Sequence, residues 1–184
     1  ASFSVFGYGR PTNSDLDGLA IASFAQVSSC GTATATSLPC MFSDLGRSNF
    51  GHTKARYREN LLDITQRAGF YTEWIDNQSG SKGVADRVLT RSLQPEAAGQ
   101  STEVNDLAFV GEVKRSLRAQ SRPSLLVLHQ MGSHGPEYFK RSTPRAKRFV
   151  PECTNKQLDQ CSAAEISNAY DNTIVNTSQM LAGL

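Results

Sequence analysis

The fold class the sequence predicts is an α/β/α sandwich with a largely parallel sheet. Three observations carry it. Strand-like and helix-like segments alternate along the chain. The run "SLLVL" at 124–128 is continuously apolar, the pattern of a parallel strand buried on both faces. Polar, glycine-containing loops follow each of three strand-like segments, where open α/β sheets build their sites.

The elements follow in order. "IASFAQVSS" (21–29) alternates loosely and is expected to be a strand leading into the loop "CGTATATSLPC" (30–40); were a helix to begin around 34 to 37, Thr34 would stand at its start. "KARYRENLLDITQRAG" (54–69) places Ala55, Leu61, Leu62, Ile64 and Ala68 at helical spacing, turns basic residues outward and ends in Gly69, which predicts one amphipathic helix. "FYTEWI" (70–75) reads as a strand, followed by the loop "DNQSGSKG". A second helix is expected over 103–120, a strand over 123–130, then the loop "MGSHGP" and a basic stretch. A last helix covers 162–181, with Ser162 and Glu165 as a capping box. The chain closes on "MLAGL" where this pattern would feed another strand, and it opens on "ASFSVFGYGRPT" as though something preceded it, so the sandwich is expected to be incomplete.

Composition narrows the function classes. The 184 residues suit one domain, and 39% hydrophobic with 20% charged residues fits a globular chain. A net charge of +2 is too small to argue for nucleic acid. No apolar run reaches the roughly 18 residues of a membrane span, and no signal segment opens the chain. The four cysteines form two local pairs, Cys30/Cys40 and Cys153/Cys161, spaced ten and eight apart with no histidine beside either. That favours disulfides and an oxidising compartment over zinc knuckles; four buried thiols are the alternative.

Several residues could carry chemistry. A threonine hydroxyl becomes a useful nucleophile beside a base or a metal, and Thr34 at a helix start would meet a positively polarised N-terminus that welcomes phosphate. Its plainer reading is an N-cap. Lys82, in a flexible Gly-Ser frame, could offer an ammonium to a phosphoryl oxygen, with Gln78 and Ser79 as donors, or simply be solvated. His134, between glycines at a strand end, suits a general acid, a phosphate donor or a metal ligand, or is a loop histidine without a task. His129 reads as a satisfied core residue and His52 has no partner in view. The run Lys140, Arg141, Arg145, Lys147 and Arg148, with Tyr138, Phe139 and Phe149, could face anionic lipid head groups or be a solvated loop. Thr34, Lys82 and His134 are expected to converge on one spot.

"SSCGTATATSLPCMFSDLGR", "WIDNQSGSKGVADR", "LLVLHQMGSHGPEYFKR" and "PECTNKQLDQCS…AYDNTIV" together resemble the catalytic domain of the phosphoethanolamine–lipid A transferases. That family includes the mobile colistin-resistance enzymes and has an alkaline phosphatase/sulfatase-like fold. The resemblance runs over nearly the whole chain. It implies transfer of phosphoethanolamine from phosphatidylethanolamine to lipid A through a phosphothreonine, with polymyxin resistance as the consequence. It further implies Thr34 as nucleophile and zinc ligand, Lys82 and His134 around the phosphate, Gln78 and Ser79 in the donor loop, and the bonds Cys30–Cys40 and Cys153–Cys161. Zn²⁺ is the implied cofactor, with the other ligands in segments absent from these residues. The expectation is therefore a partial periplasmic catalytic domain over 1–184, without the family's transmembrane domain, at the periplasmic face of the inner membrane and inactive by itself. A fragment or pseudoenzyme that binds phospholipid head groups without turnover is the alternative. A sulfatase is disfavoured, because the cysteine of "LPCMFS" is not followed by the proline and arginine that formylglycine formation needs.

Overall fold

The computed structural model describes residues 3–94 and 103–184. They divide into two compact units, one of 1–25, 103–112 and 131–184, the other of 26–102 and 113–130.

The second unit holds the sheet. Its strands are β1 (Tyr71–Asp76), β2 (Leu89–Ser92) and β3 (Ser124–His129), all parallel, in the order β2-β1-β3. Asp76 is level with both Ser92 and His129, so the carboxyl ends of all three strands are aligned. The central strand is the buried one: Trp74 and Ile75 are fully enclosed, and so is Glu73, which accepts from Arg91 (3.0 Å), Ser116 (2.7 Å) and Tyr71 (3.0 Å). β3 is half-buried throughout rather than enclosed on both faces as its apolar run predicts, because β1 takes the middle position.

The helices of this unit are α1 (Thr34–Phe42), α2 (Gly46–Asn49), α3 (His52–Arg56) and α4 (Leu61–Arg67). The single helix expected over 54–69 is split in two. Asn60 leaves the helical region and caps α4: its side chain accepts from Leu62 and Asp63 amides, while Asp63 accepts from the Asn60 amide at 2.8 Å. A capping box inside a periodic run overrides the periodicity, since it satisfies the orphan N–H groups of a new helix start. Leu38 and Phe42 of α1 pack on a core of Leu62, Trp74, Val84 and Ala85, with Phe42 edge-on to Trp74 at 5.9 Å. The strand expected over 21–29 does not form. The segment is irregular and exposed, Phe24 and Val27 included, and no strand among the described residues pairs with its backbone.

The first unit is organised by α6 (Ala163–Gly183), which starts at the expected Ser162/Glu165 capping box. Its buried face is polar. Asn172 accepts from the Phe149 amide and donates to the Phe149 carbonyl, both at 3.0 Å. Asn176 accepts from the Thr143 amide at 3.2 Å, and Asp171 takes Tyr8 (2.9 Å) and Arg10 (2.7 Å). The helix thus satisfies the backbone of the loops around it, which a purely apolar stripe could not do. A fifth helix, α5 (Ala108–Arg118), contributes its start to this unit and its end to the other.

Candidate active site

The Cys30–Cys40 disulfide joins the loop before α1 to the last turn of that helix, and Cys153–Cys161 closes the second pair; both expected bonds are present. Thr34 is the first residue of α1 and so does not stand in the loop itself. It is not the N-cap either: Ala33 is, and it has no side chain to cap with, while no acidic residue stands in the first turn. The amides at this end lack a capping group, and the Thr34 hydroxyl makes no hydrogen bond among the described residues. Unsatisfied amides at a helix start are of the kind that can accept an anion. Thr34 lies one turn before Leu38 and two before Phe42, on the face α1 turns toward the core.

Thr36, on another face of α1, meets a residue that the sequence left unpartnered: its hydroxyl lies 3.4 Å from Nε2 of His52, whose ring packs edge-on against Phe50. His52 lines a cleft of about 420 Å³ with Pro39, Arg56, Glu59 and Lys82.

The loop after β1 gathers three expected residues. Lys82 donates from Nζ to the Ser79 carbonyl (2.5 Å) and hydroxyl (2.8 Å), and Ser79 donates from its amide to Gln78 Oε1 at 3.0 Å. Lys82 is exposed and has φ of +56°, the left-handed region that side chains other than glycine rarely adopt. A backbone held there is fixed by its surroundings.

Those surroundings centre on Asp76, which sequence reasoning missed. One carboxylate oxygen accepts from Trp74 Nε1 (3.1 Å) and His129 Nδ1 (2.7 Å); the other accepts from the amides of Gln78 (3.0 Å) and Gly80 (3.1 Å). Burial works against the charge of Asp76, but the bonds from His129, Trp74, Gly80 and Gln78 outweigh it and hold its carboxyl below the usual aspartate range. His129 is thus not merely a core residue: Nδ1 serves Asp76, and Nε2 has no hydrogen bond among the described residues. The available signal was an aspartate ending an apolar strand two residues before a glycine-serine loop, the setting of an Asx-turn.

His134 lies in the first unit. It is exposed and donates from Nδ1 to the Gly135 carbonyl at 2.8 Å, which leaves Nε2 facing outward. Its loop is held by Asp106, which accepts from the amides of Met131 (3.1 Å) and Gly132 (2.7 Å), and by Thr173, which donates to Ser133 at 2.6 Å.

Four of the five cations of the basic stretch are paired internally: Arg141 with Glu103 (2.6 Å), Arg148 with Asp15 (2.7 Å), Lys140 with Glu137 (2.5 Å), and Lys147 with Glu152; Arg145 is exposed and makes no ion pair among the described residues. For zinc, no three His, Cys, Asp or Glu side chains form a group able to hold a metal among the described residues, and a lone Thr34 hydroxyl does not hold Zn²⁺. The residues described here do not fit the ion.

Against this geometry stand the comparisons with known proteins. Residues 1–184 match the family model described as Sulfatase. The chain is 38% identical over 178 residues to phosphoethanolamine transferase EptA of Escherichia coli K12, covering 95% of this chain and 32% of that protein. It is 40% identical over 189 residues to phosphatidylethanolamine transferase Mcr-2 of Escherichia coli, covering 96% and 35%. Its fold matches the soluble domain of lipooligosaccharide phosphoethanolamine transferase A from Neisseria meningitidis with a TM-score of 0.90 at 38% identity, covering 97% of this chain and 55% of that one. The chain spans about a third of the length of the curated relatives it matches.

Proposed function

The chain belongs to the sulfatase family, and from that premise we propose that it is the central part of a transferase moving phosphoethanolamine from phosphatidylethanolamine to a phosphate of lipid A. Within the family, the absent formylglycine motif and the similarity to EptA and Mcr-2 favour a transferase over a sulfatase. We place the reaction at the periplasmic face of the bacterial inner membrane; no helix among the described residues is long and apolar enough to cross a membrane. Adding an ethanolamine cation lowers the negative charge of lipid A and weakens its attraction for polymyxin and colistin.

The observation that carries the reading is Thr34: an unbonded hydroxyl at an uncapped helix N-terminus. Thr34 Oγ1 attacks the phosphorus of phosphatidylethanolamine, and the bond from phosphorus to the diacylglycerol oxygen breaks. Diacylglycerol leaves with the hydroxyl's proton, and phosphoethanolamine stays esterified to Thr34. A lipid A phosphate oxygen then attacks that phosphorus, the bond from phosphorus to Thr34 Oγ1 breaks, and the threonine oxygen takes up a proton from the attacking phosphate or from solvent. Lys82, with Gln78 and Ser79 beside it, donates to the non-bridging oxygens as charge spreads over them. His134 is assigned the same kind of work on the strength of the family resemblance. That resemblance also implies Zn²⁺, with its remaining ligands in segments beyond these 184 residues, which we propose to be inactive alone. The steps above use only this chain's own groups.

The test is release of diacylglycerol from labelled phosphatidylethanolamine by the full-length protein. Thr34→Ala should abolish it, a loss of about 10³-fold or more, as for other deleted nucleophiles. A Thr34→Ala protein that keeps wild-type release overturns the proposal.

A further inference from the structure

We infer that Asp76 is a positioning residue that fixes the donor-binding loop from the carboxyl ends of β1 and β3. The inference takes from the transferase reading only what the loop holds; the clamp itself rests on geometry.

A carboxylate has about four acceptor sites, and Asp76 fills four with two different kinds of donor. Trp74 and His129 approach one oxygen from the sheet, at 3.1 and 2.7 Å, while the amides of Gln78 and Gly80 approach the other from the loop, at 3.0 and 3.1 Å. One side chain therefore ties rigid strands to four residues of backbone. Ser79 sits between the two clamped amides, and it is Ser79 that receives the Lys82 ammonium through its carbonyl and hydroxyl. The path runs from His129 through Asp76 to the Gln78 and Gly80 amides, and along the backbone between them through Ser79 to Lys82. The left-handed backbone of Lys82 is what such a clamp would sustain. His129 has a defined part: it gives Asp76 its shortest bond, and its ring lies 5.3 Å from that of Trp74, so the sheet-side donors also pack together. Placing loop donors through a neighbouring carboxylate is how supporting residues keep a binding site within tolerance.

The probe is glycerophosphoethanolamine, the water-soluble head group of the proposed donor, titrated into the full chain while backbone amide shifts and amide exchange are followed. In the wild type, the Gln78, Ser79 and Lys82 amides should shift and saturate. Asp76→Asn should raise the dissociation constant about tenfold and speed exchange at Gln78 and Gly80 by a similar factor. His129→Leu removes one donor and should weaken binding about threefold, while His129→Gln, which can still donate, should stay within about twofold. A general structural lesion would not spare the Gln variant. Wild-type affinity and unchanged exchange in Asp76→Asn overturn the inference; should that variant not fold, the same result in His129→Leu overturns it. Absence of any shift in the wild type contradicts the head-group reading instead, and the exchange rates still decide the clamp.

Discussion

The loop after β1 and the loop after β3 are both held by a buried aspartate that accepts two backbone amides, Asp76 in one and Asp106 in the other. They differ in where the anchor stands. Asp76 belongs to the strand that the loop leaves, and it is braced by Trp74 and His129 of the sheet. Asp106 comes from the segment leading into α5, far along the chain from the amides it holds, and α6 adds the Thr173–Ser133 bond. The first loop bends its lysine into an unfavourable backbone region and keeps it there. In the second, the exposed His134 is oriented by its own neighbour's carbonyl. A sheet-borne anchor can thus impose strain on a side-chain residue of its loop, whereas a remote anchor secures the loop's base and leaves the tip to local bonding.

The largest expected effect comes from removing the remote anchor. Asp106→Ala leaves two amides without their acceptor and should cost about 2–4 kcal/mol in urea unfolding. A cost below about 0.5 kcal/mol, typical of an indifferent surface site, would show that the second loop does not depend on Asp106.

Next comes pH. The Asp76 carboxyl is depressed in the folded state, so between its folded and unfolded values the unfolded chain binds more protons. Its stabilisation is therefore present above the ordinary aspartate value and is lost as pH falls through the folded one. The acid limb of stability against pH should be shallower in Asp76→Asn than in the wild type. Identical limbs would mean that the clamp is not charge-dependent.

The smallest effect has an opposite sign. Lys82→Gly relieves a left-handed side-chain residue and should stabilise the fold by about 1 kcal/mol, while weakening capture of the head group. A destabilised glycine variant would mean that the lysine's bonds to Ser79 outweigh the backbone strain.

Much of this arrangement was legible beforehand. β3 announced itself by its apolar run, β1 by the strand-like "FYTEWI", α6 by its capping box, and both disulfides by local cysteine pairs. Other features were not. β2 is only "LTRS", short and largely exposed, so nothing in its residue pattern separates it from a loop; pairing with β1 makes it a strand. The segment 21–29 has the better strand pattern and no partner, so pattern without pairing failed there. The buried Asp-Asn-Thr face of α6 reads as an exposed polar helix until the loops it satisfies are seen. At the site, the motifs around Gln78, Ser79 and Lys82 could be found in the sequence, but Asp76 and His129 lie 53 residues apart and meet only because β1 and β3 pair in register.

The most direct measurement is peptide mapping of the full-length protein after incubation with phosphatidylethanolamine and no acceptor. Phosphoethanolamine should be found esterified to Thr34, and it should disappear when lipid A is added. An adduct on another residue, or diacylglycerol release with Thr34 unmodified throughout, would contradict the role assigned to that hydroxyl.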